Sequence, residues 1–225
     1  MRYLQECIIV SLLCTAFFQP LQAQKTAGIF YFTMLIDNEI VTLDKKERKQ
    51  EGFFAGESLS IDIPEDIVDS LKRITERALS AKLKADVQCV YATTKNGKTF
   101  DTNGVEGSTE KMSVEGLPFA TFKKASEQFK KDLYLQIQVS IEDGKGVSLD
   151  IGSRYHKIKP MISMKVKAFN GDKKEVWQHD AELKNMAKLK RWKDDDDYWE
   201  HRGGQTLSAE MILAMYTLMI DEFAR

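Results

Sequence analysis

The sequence predicts an α+β fold: a two-layer sandwich in which a mainly antiparallel mixed sheet carries about three helices packed on one face. Three observations predict it. Leu133, Leu135, Ile137, Val139 and Ile141 alternate with Tyr134, Gln136, Gln138, Ser140 and Glu142, the period of a strand with one buried and one wet face. Ile67, Val68, Leu71, Ile74, Ala78, Leu79 and Leu83 recur at helical spacing while Lys72, Arg73, Glu76 and Arg77 take the other side, the pattern of an amphipathic helix docked on a sheet. Asn96-Gly97 and Asn170-Gly171 stand between apolar runs and favour tight hairpin turns. Hairpins interleaved with helices, and strands wet on one side, place the helices together on the other side.

The chain opens with Arg2, an apolar run from Cys7 to Phe18, and Pro20 before Leu21-Gln22-Ala23. This order is that of a signal peptide, so residues 1–23 are expected to be cleaved after Ala23, leaving Gln24 as the first mature residue and residues 24–225 as a single α+β domain. A run of about a dozen apolar residues is too short for a permanent span, and nothing later approaches about 18 in succession. Leu13 before Cys14 is bulky, where a lipidation signal wants a small residue.

From Gly28 to Ile36 every residue except Gly28 and Thr33 is apolar or aromatic, which marks a central strand covered on both faces. Asp37-Asn38 turns it into a short strand, Ile40 to Leu43, and Asp44 to Glu51 reads as a solvated loop. The first helix opens near Pro64, with Asp62 as a cap and Glu65-Asp66 set against its positive dipole end. A strand from Val87 to Thr94 turns at Asn96-Gly97 into Lys98 to Thr102, and Asn103 to Glu115 reads as a polar loop. A second helix is expected over Phe119 to Lys131, with Phe119, Phe122, Ala125 and Phe129 on one face.

After the alternating strand from Leu133, Asp143-Gly144-Lys145-Gly146 turns the chain into Val147 to Ile151. Ile162, Met164, Val166 and Ala168 then oppose Ser163, Lys165 and Lys167 in another half-buried strand, which pairs with Glu175 to Leu183. Leu207 to Ala224 closes the chain as a helix capped by Thr206 or Ser208, with Met211, Ile212, Met215, Leu218, Met219 and Phe223 as its apolar stripe.

Bulk composition excludes some partners. Lys and Arg number 33 against 34 Asp and Glu, for a net charge of −1, and the signs are interspersed, so neither nucleic acid nor an acidic membrane is indicated. Cys7 and Cys14 leave with the signal, and Cys89 alone permits no intramolecular disulfide; the core must suffice. No Asn in the chain has Ser or Thr two residues on, which fits a bacterial envelope.

No motif for chemistry stands up. His156, His179 and His201 lack the His-Glu-x-x-His spacing of a zinc pair, and His179-Asp180 lies on a strand, where adjacent residues face opposite sides. There is no Gly-x-Ser-x-Gly elbow, and Gly104-Val105-Glu106-Gly107 lacks the Lys-Ser/Thr ending of a phosphate loop. Cys89, mid-strand, reads as a small buried hydrophobe. Gly203-Gly204 reads as an entry turn, and the Met211, Met215, Met219 stripe as core packing. No catalytic residue and no cofactor is assigned.

The most conspicuous segment is Arg191 to His201. Asp194, Asp195, Asp196 and Asp197 can offer oxygen ligands to calcium. A loop of the EF-hand kind, however, needs an acidic or amide residue where Tyr198 stands and a glycine where Trp199 stands. A solvated acidic loop is the expectation, with calcium as the alternative. Trp192, Tyr198 and Trp199, aromatics with a charged rim, are the candidate protein contacts.

The run Ala81-Lys82-Leu83-Lys84-Ala85-Asp86-Val87 from helix into strand, the strand Leu133 to Gly144, and the hairpin Met164 to Trp177 with Asn170-Gly171-Asp172 at its tip and Val176-Trp177 on its return carry a resemblance. Their order is similar to that in the amino-terminal domain of the translocation protein TolB and in the curli secretion lipoprotein CsgG. The similarity is architectural, covers Pro64 to the end, and transfers no functional residue; it implies a binding or assembly module. The expectation is a non-enzymatic protein of a Gram-negative-type envelope, periplasmic or secreted, that binds another envelope protein. The alternative is an exported hydrolase or small-ligand binder whose polar groups converge only in three dimensions.

Overall fold

The computed structural model describes residues 25–37, 60–61, 63–99, 111–144, 155–184, 186, 189–192 and 208–225. In chain order these form β1 (Lys25–Asp37), β2 (Ser60–Ile61), α1 (Glu65–Leu83), β3 (Ala85–Cys89), β4 (Lys111–Val114), α2 (Phe122–Gln128), β5 (Leu133–Asp143), β6 (Tyr155–Ile158), β7 (Pro160–Phe169), β8 (Glu175–Leu183), β9 (Leu189–Trp192) and α3 (Ala209–Ala224). The expected signal peptide, the strands Ile40 to Leu43 and Val147 to Ile151, and the charged stretch Asp44 to Glu51 lie outside the described residues.

β1 takes the central place that its apolar run predicts. Along one side it pairs in parallel with β5; along the other it pairs with β3 over Lys25–Ile29 and with β4 over Leu35–Asp37. The gap between β3 and β4 is filled by the chain before α2, where the Phe32 amide donates to the Pro118 carbonyl at 2.6 Å and the Ala120 amide to the Phe30 carbonyl at 3.0 Å. Beyond β5 the sheet continues antiparallel through β7 to β8. The β5–β7, β7–β8 and β1–β4 ladders are antiparallel and the β1–β3 and β1–β5 ladders parallel, a mixed sheet. β4 replaces the end of the polar loop expected over Asn103 to Glu115; four residues are too few to display a period, and β1 supplies their partner.

Leu135, Ile137, Val139 and Ile141 on β5 and Ile162, Met164, Val166 and Ala168 on β7 are buried together with Leu71 and Leu79 of α1 and Ile212, Met219 and Phe223 of α3. This is the sandwich expected from the alternation, and truncating any one of the large side chains among these to Ala costs about 2–5 kcal/mol. α1 stands over the β1–β3 side and α3 over β7 and β8. Between the helices the fully buried Tyr216 hydroxyl meets Thr75 Oγ1 at 2.5 Å, and Thr75 Oγ1 donates to the Leu71 carbonyl at 2.6 Å. Leu218, read as part of the apolar stripe, is instead 54% exposed.

α2 is shorter than the Phe119 to Lys131 expected, and it lies against the other face of the sheet, where Ala125 joins Phe30, Val90 and Tyr134 in a second cluster. Thr121 caps it, accepting from the Lys124 amide at 3.4 Å. Phe30 takes that face by alternation after Ile29, and the register shift between Ile29 and Tyr31 keeps Tyr31 on the same side and returns Phe32 to the core. A bulge of this kind turns two successive side chains to one side.

β6 and β9 pair only with each other among the described strands, in a register running from Tyr155 opposite Trp192 to Ile158 opposite Leu189. They directly precede β7 and follow β8, so they prolong that hairpin beyond the sheet, with the Met186 amide donating to the Pro160 carbonyl at 3.3 Å in between. The opposite tip turns as expected at Asn170-Gly171, but the left-handed residue is Lys173, with φ 63°. Asn170 Oδ1 holds the turn, accepting from the Asp172 amide at 3.1 Å and the Lys174 amide at 2.9 Å.

Candidate functional site

The polar halves of the alternating strands converge on the sheet face opposite α1 and α3. There Tyr31, Thr33 and Leu35 of β1, Gln138 and Ser140 of β5, Ser163 and Lys165 of β7, and Asp180 and Glu182 of β8 line a concavity of about 670 Å³. Strand periodicity explains the grouping: a position two residues on returns to the same face, and pairing in register stacks Ser140 beside Ser163 and Lys165 beside Asp180. A second hollow of about 290 Å³ adjoins it at Tyr31 and is walled by Phe30, Phe119, Phe122 and Phe169, with Gln136 at its side. The Tyr31 and Phe119 rings lie 4.9 Å apart, and Phe122 packs edge-on to Phe169 at 6.2 Å.

Charge on this face is largely spent within it. Lys165 Nζ stands 3.9 Å from Asp180, Lys167 Nζ 2.8 Å from Glu175, and Lys184 Nζ 3.2 Å from Glu182. The Ser140 hydroxyl donates to Glu142 at 2.5 Å. What is left to a ligand is a row of amides and hydroxyls beside aromatic rings, a surface suited to recognition by shape and neutral hydrogen bonds.

His179 points away from it. Its ring stacks on Trp177 at 5.9 Å and meets the edge of Phe223 at 4.9 Å, on the helix side of β8, while Asp180 faces the concavity. The two therefore form no dyad, as the strand period requires. Burial first, and the Lys82 ammonium second, hold the His179 pKa below its usual value. Ser140 and Ser163 consequently do not have the His179 imidazole beside them.

Cys89 sits on the opposite flank, where its backbone amide donates to Glu76 Oε1 at 2.7 Å. It ends β3 rather than standing mid-strand and is half-buried, and burial and the Glu76 carboxylate push its thiol pKa far up, suppressing the thiolate. Met215 and Met219 are buried in the core.

Of the contact residues expected from the sequence, Trp192 ends β9, across from Tyr155. Tyr198 and Trp199, the acidic run Asp194, Asp195, Asp196 and Asp197, and the cleavage pair Ala23 and Gln24 lie outside the described residues. Among the described residues no three His, Cys, Asp or Glu side chains gather to hold a metal ion, and no helix is long and apolar enough to cross a membrane. The concavity went unnoticed in the sequence because its members are spread over four strands. The signal that marks it is the wet half of each alternating strand, Gln136 to Ser140 and Ser163 to Lys167.

No family model matches the chain, and no curated protein matches it. A solved structure, a PelC dodecamer from Paraburkholderia phytofirmans, is similar over 88% of this chain and 83% of that chain, at 12% identity and a TM-score of 0.33. This weak likeness lends no support to TolB or CsgG specifically and carries no argument about function.

Proposed function

We propose that the chain is an exported binding module of the cell envelope, and that the concave sheet face is where it binds. The observation that supports this most is the contrast between the two faces. One is sealed by α1 and α3 over an apolar core, while the other gathers Tyr31, Thr33, Gln138, Ser140 and Ser163 into a hollow of about 670 Å³ with its charges mutually neutralised. Aromatic rings set among uncharged donors and acceptors are what a partner surface uses for a central anchor.

The test is a photo-crosslinking side chain placed at Gln138 in cells producing the full chain, with the same group at Arg73 on the outer side of α1 as control. The reading expects one discrete adduct from position 138, absent from position 73 and lost when Ser163→Lys fills the hollow. Equal adducts from both positions, or none from 138, overturn it. The adjoining aromatic hollow favours a second reading, a small-ligand site, which predicts stabilisation of the purified protein by a compound whose effect Phe119→Ala abolishes.

A further inference from the structure

We infer that the aromatic hollow beside the concavity takes a small carboxylate, one or two flat rings bearing a single acid group, and that Lys173 at its rim selects the acid. This rests on the small-ligand reading above and names the class of ligand. The walls are rings that hold one another in place. Phe30, Phe122 and Phe169 pack edge-on, with centroids 6.0, 6.5 and 6.2 Å apart, while Tyr31 and Phe119 are tilted together at 4.9 Å and bridged through their backbones. Walls of this kind are formed before a ligand arrives, which spares the ordering cost of binding. Ring faces and edges favour a flat apolar body between them.

Size and polarity narrow the class. The volume of about 290 Å³ equals roughly ten waters at about 30 Å³ each, room for about ten to fifteen non-hydrogen atoms. Three polar groups of the lining have no hydrogen-bond or ion-pair partner among the described residues: the half-buried Gln136 amide, the Tyr31 hydroxyl and the Lys173 ammonium. Lys173 is the single charged residue of that lining, which holds no acid. Glu175, two residues on, is taken by Lys167 at 2.8 Å, and Asp172 is exposed at the turn. A flat ligand with one negative charge completes this set. The ammonium supplies the countercharge, and the amide and the hydroxyl are donors suited to carboxylate oxygens. A phosphate monoester, close to two negative charges, would find one cation only.

The backbone gives an independent sign. Lys173 is held at φ 63° in the β7–β8 turn, where glycine would be unstrained. Strain of this kind gathers at ligand clamps, and here it carries the one cation of the hollow's lining.

Cinnamate and its neutral amide, cinnamamide, match in shape and differ in charge. Titrated into the purified protein at low salt and followed by ligand-observed nuclear magnetic resonance, cinnamate is expected to bind with a Kd of about 0.1–1 mM and about tenfold more tightly than the amide. Lys173→Gly, which relieves the turn and so keeps the fold, should bring cinnamate down to the affinity of the amide and leave the amide unchanged. Phe119→Ala should weaken both. Equal affinity of the two probes for the wild type, or an acid preference that survives Lys173→Gly, overturns the inference and leaves the small-ligand reading standing. Binding of neither probe, or binding that Phe119→Ala leaves unchanged, removes the inference together with the reading it rests on.

Discussion

Replacing Tyr216 with Phe removes one oxygen from the centre of the helix layer, and the arrangement around it sets the size of the effect. Thr75 Oγ1 donates its proton to the Leu71 carbonyl at 2.6 Å, so in the 2.5 Å contact between the hydroxyls Tyr216 is the donor. Tyr216→Phe leaves Thr75 with an unfilled lone pair but its own donation intact, a loss of about 1–1.5 kcal/mol. Thr75→Val strands the Tyr216 proton in a fully buried position, where an unsatisfied polar group costs about 1–3 kcal/mol. Replacing both removes donor and acceptor together and leaves a packed apolar contact. The double variant should then be destabilised by no more than about 1 kcal/mol, with a coupling energy of about 1–2 kcal/mol between the positions. Urea unfolding of the four proteins at one pH, with the slope checked for constancy, measures this directly. A double variant whose loss equals the sum of the single losses refutes the relay.

Three other outcomes follow from features already described. Lys173→Gly should stabilise the protein by about 1 kcal/mol, because the β7–β8 turn holds this residue at φ 63°, a region in which glycine alone is at ease; a thermal midpoint raised by about 2–4 °C checks it. His179 titrates below its ordinary value of 6.5, so the unfolded chain takes up the proton first. Its contribution is complete above that pH and lost as pH falls through the folded value, with Lys82 adding repulsion and Asp180 partly offsetting it. The urea midpoint of the wild type should therefore fall more steeply below neutral pH than that of His179→Phe, and parallel curves would exclude the linkage. Cys89 in the folded protein should alkylate at least about tenfold more slowly than in the urea-unfolded chain, because its thiolate is suppressed; equal rates would show the flank to be open.

Elements whose faces contrast in polarity were legible in the sequence. Glu175–Leu183 matches the expected strand at both ends, β5 from Leu135 onward and β7 bury the alternating residues expected, although Tyr134, expected on the wet face, is buried in the second cluster, and α3 begins after Ser208, one of its two expected caps. What depends on a distant partner was not. Lys111–Val114 is a strand because β1 is there to pair with it. α2 crosses to the other face because a bulge at Phe30 and Tyr31 opens an aromatic bed for it. Asn-Gly marked the hairpin tip, yet the positive φ fell two residues later, on Lys173, because Asn170 Oδ1 ties down the amides at 172 and 174. The concave face was visible only as the wet half of each strand; which wet halves become neighbours is a matter of topology.

The placement of β1 also governs the timing of folding. The first described strand is clasped by Asp132, which binds Thr26 across 106 residues, and the helix layer is closed by Tyr216, 141 residues beyond Thr75. The β1–β5 and α1–α3 contacts that make much of the core close long loops, the kind of topology that folds slowly. A chain delivered with its N-terminus first would hold one side of its most apolar strand unpaired until β5 arrived, β3 and β4 serving the other side earlier, and would gain its last wall only with α3. Over that interval residues 28–36 would be the segment open to a holding chaperone.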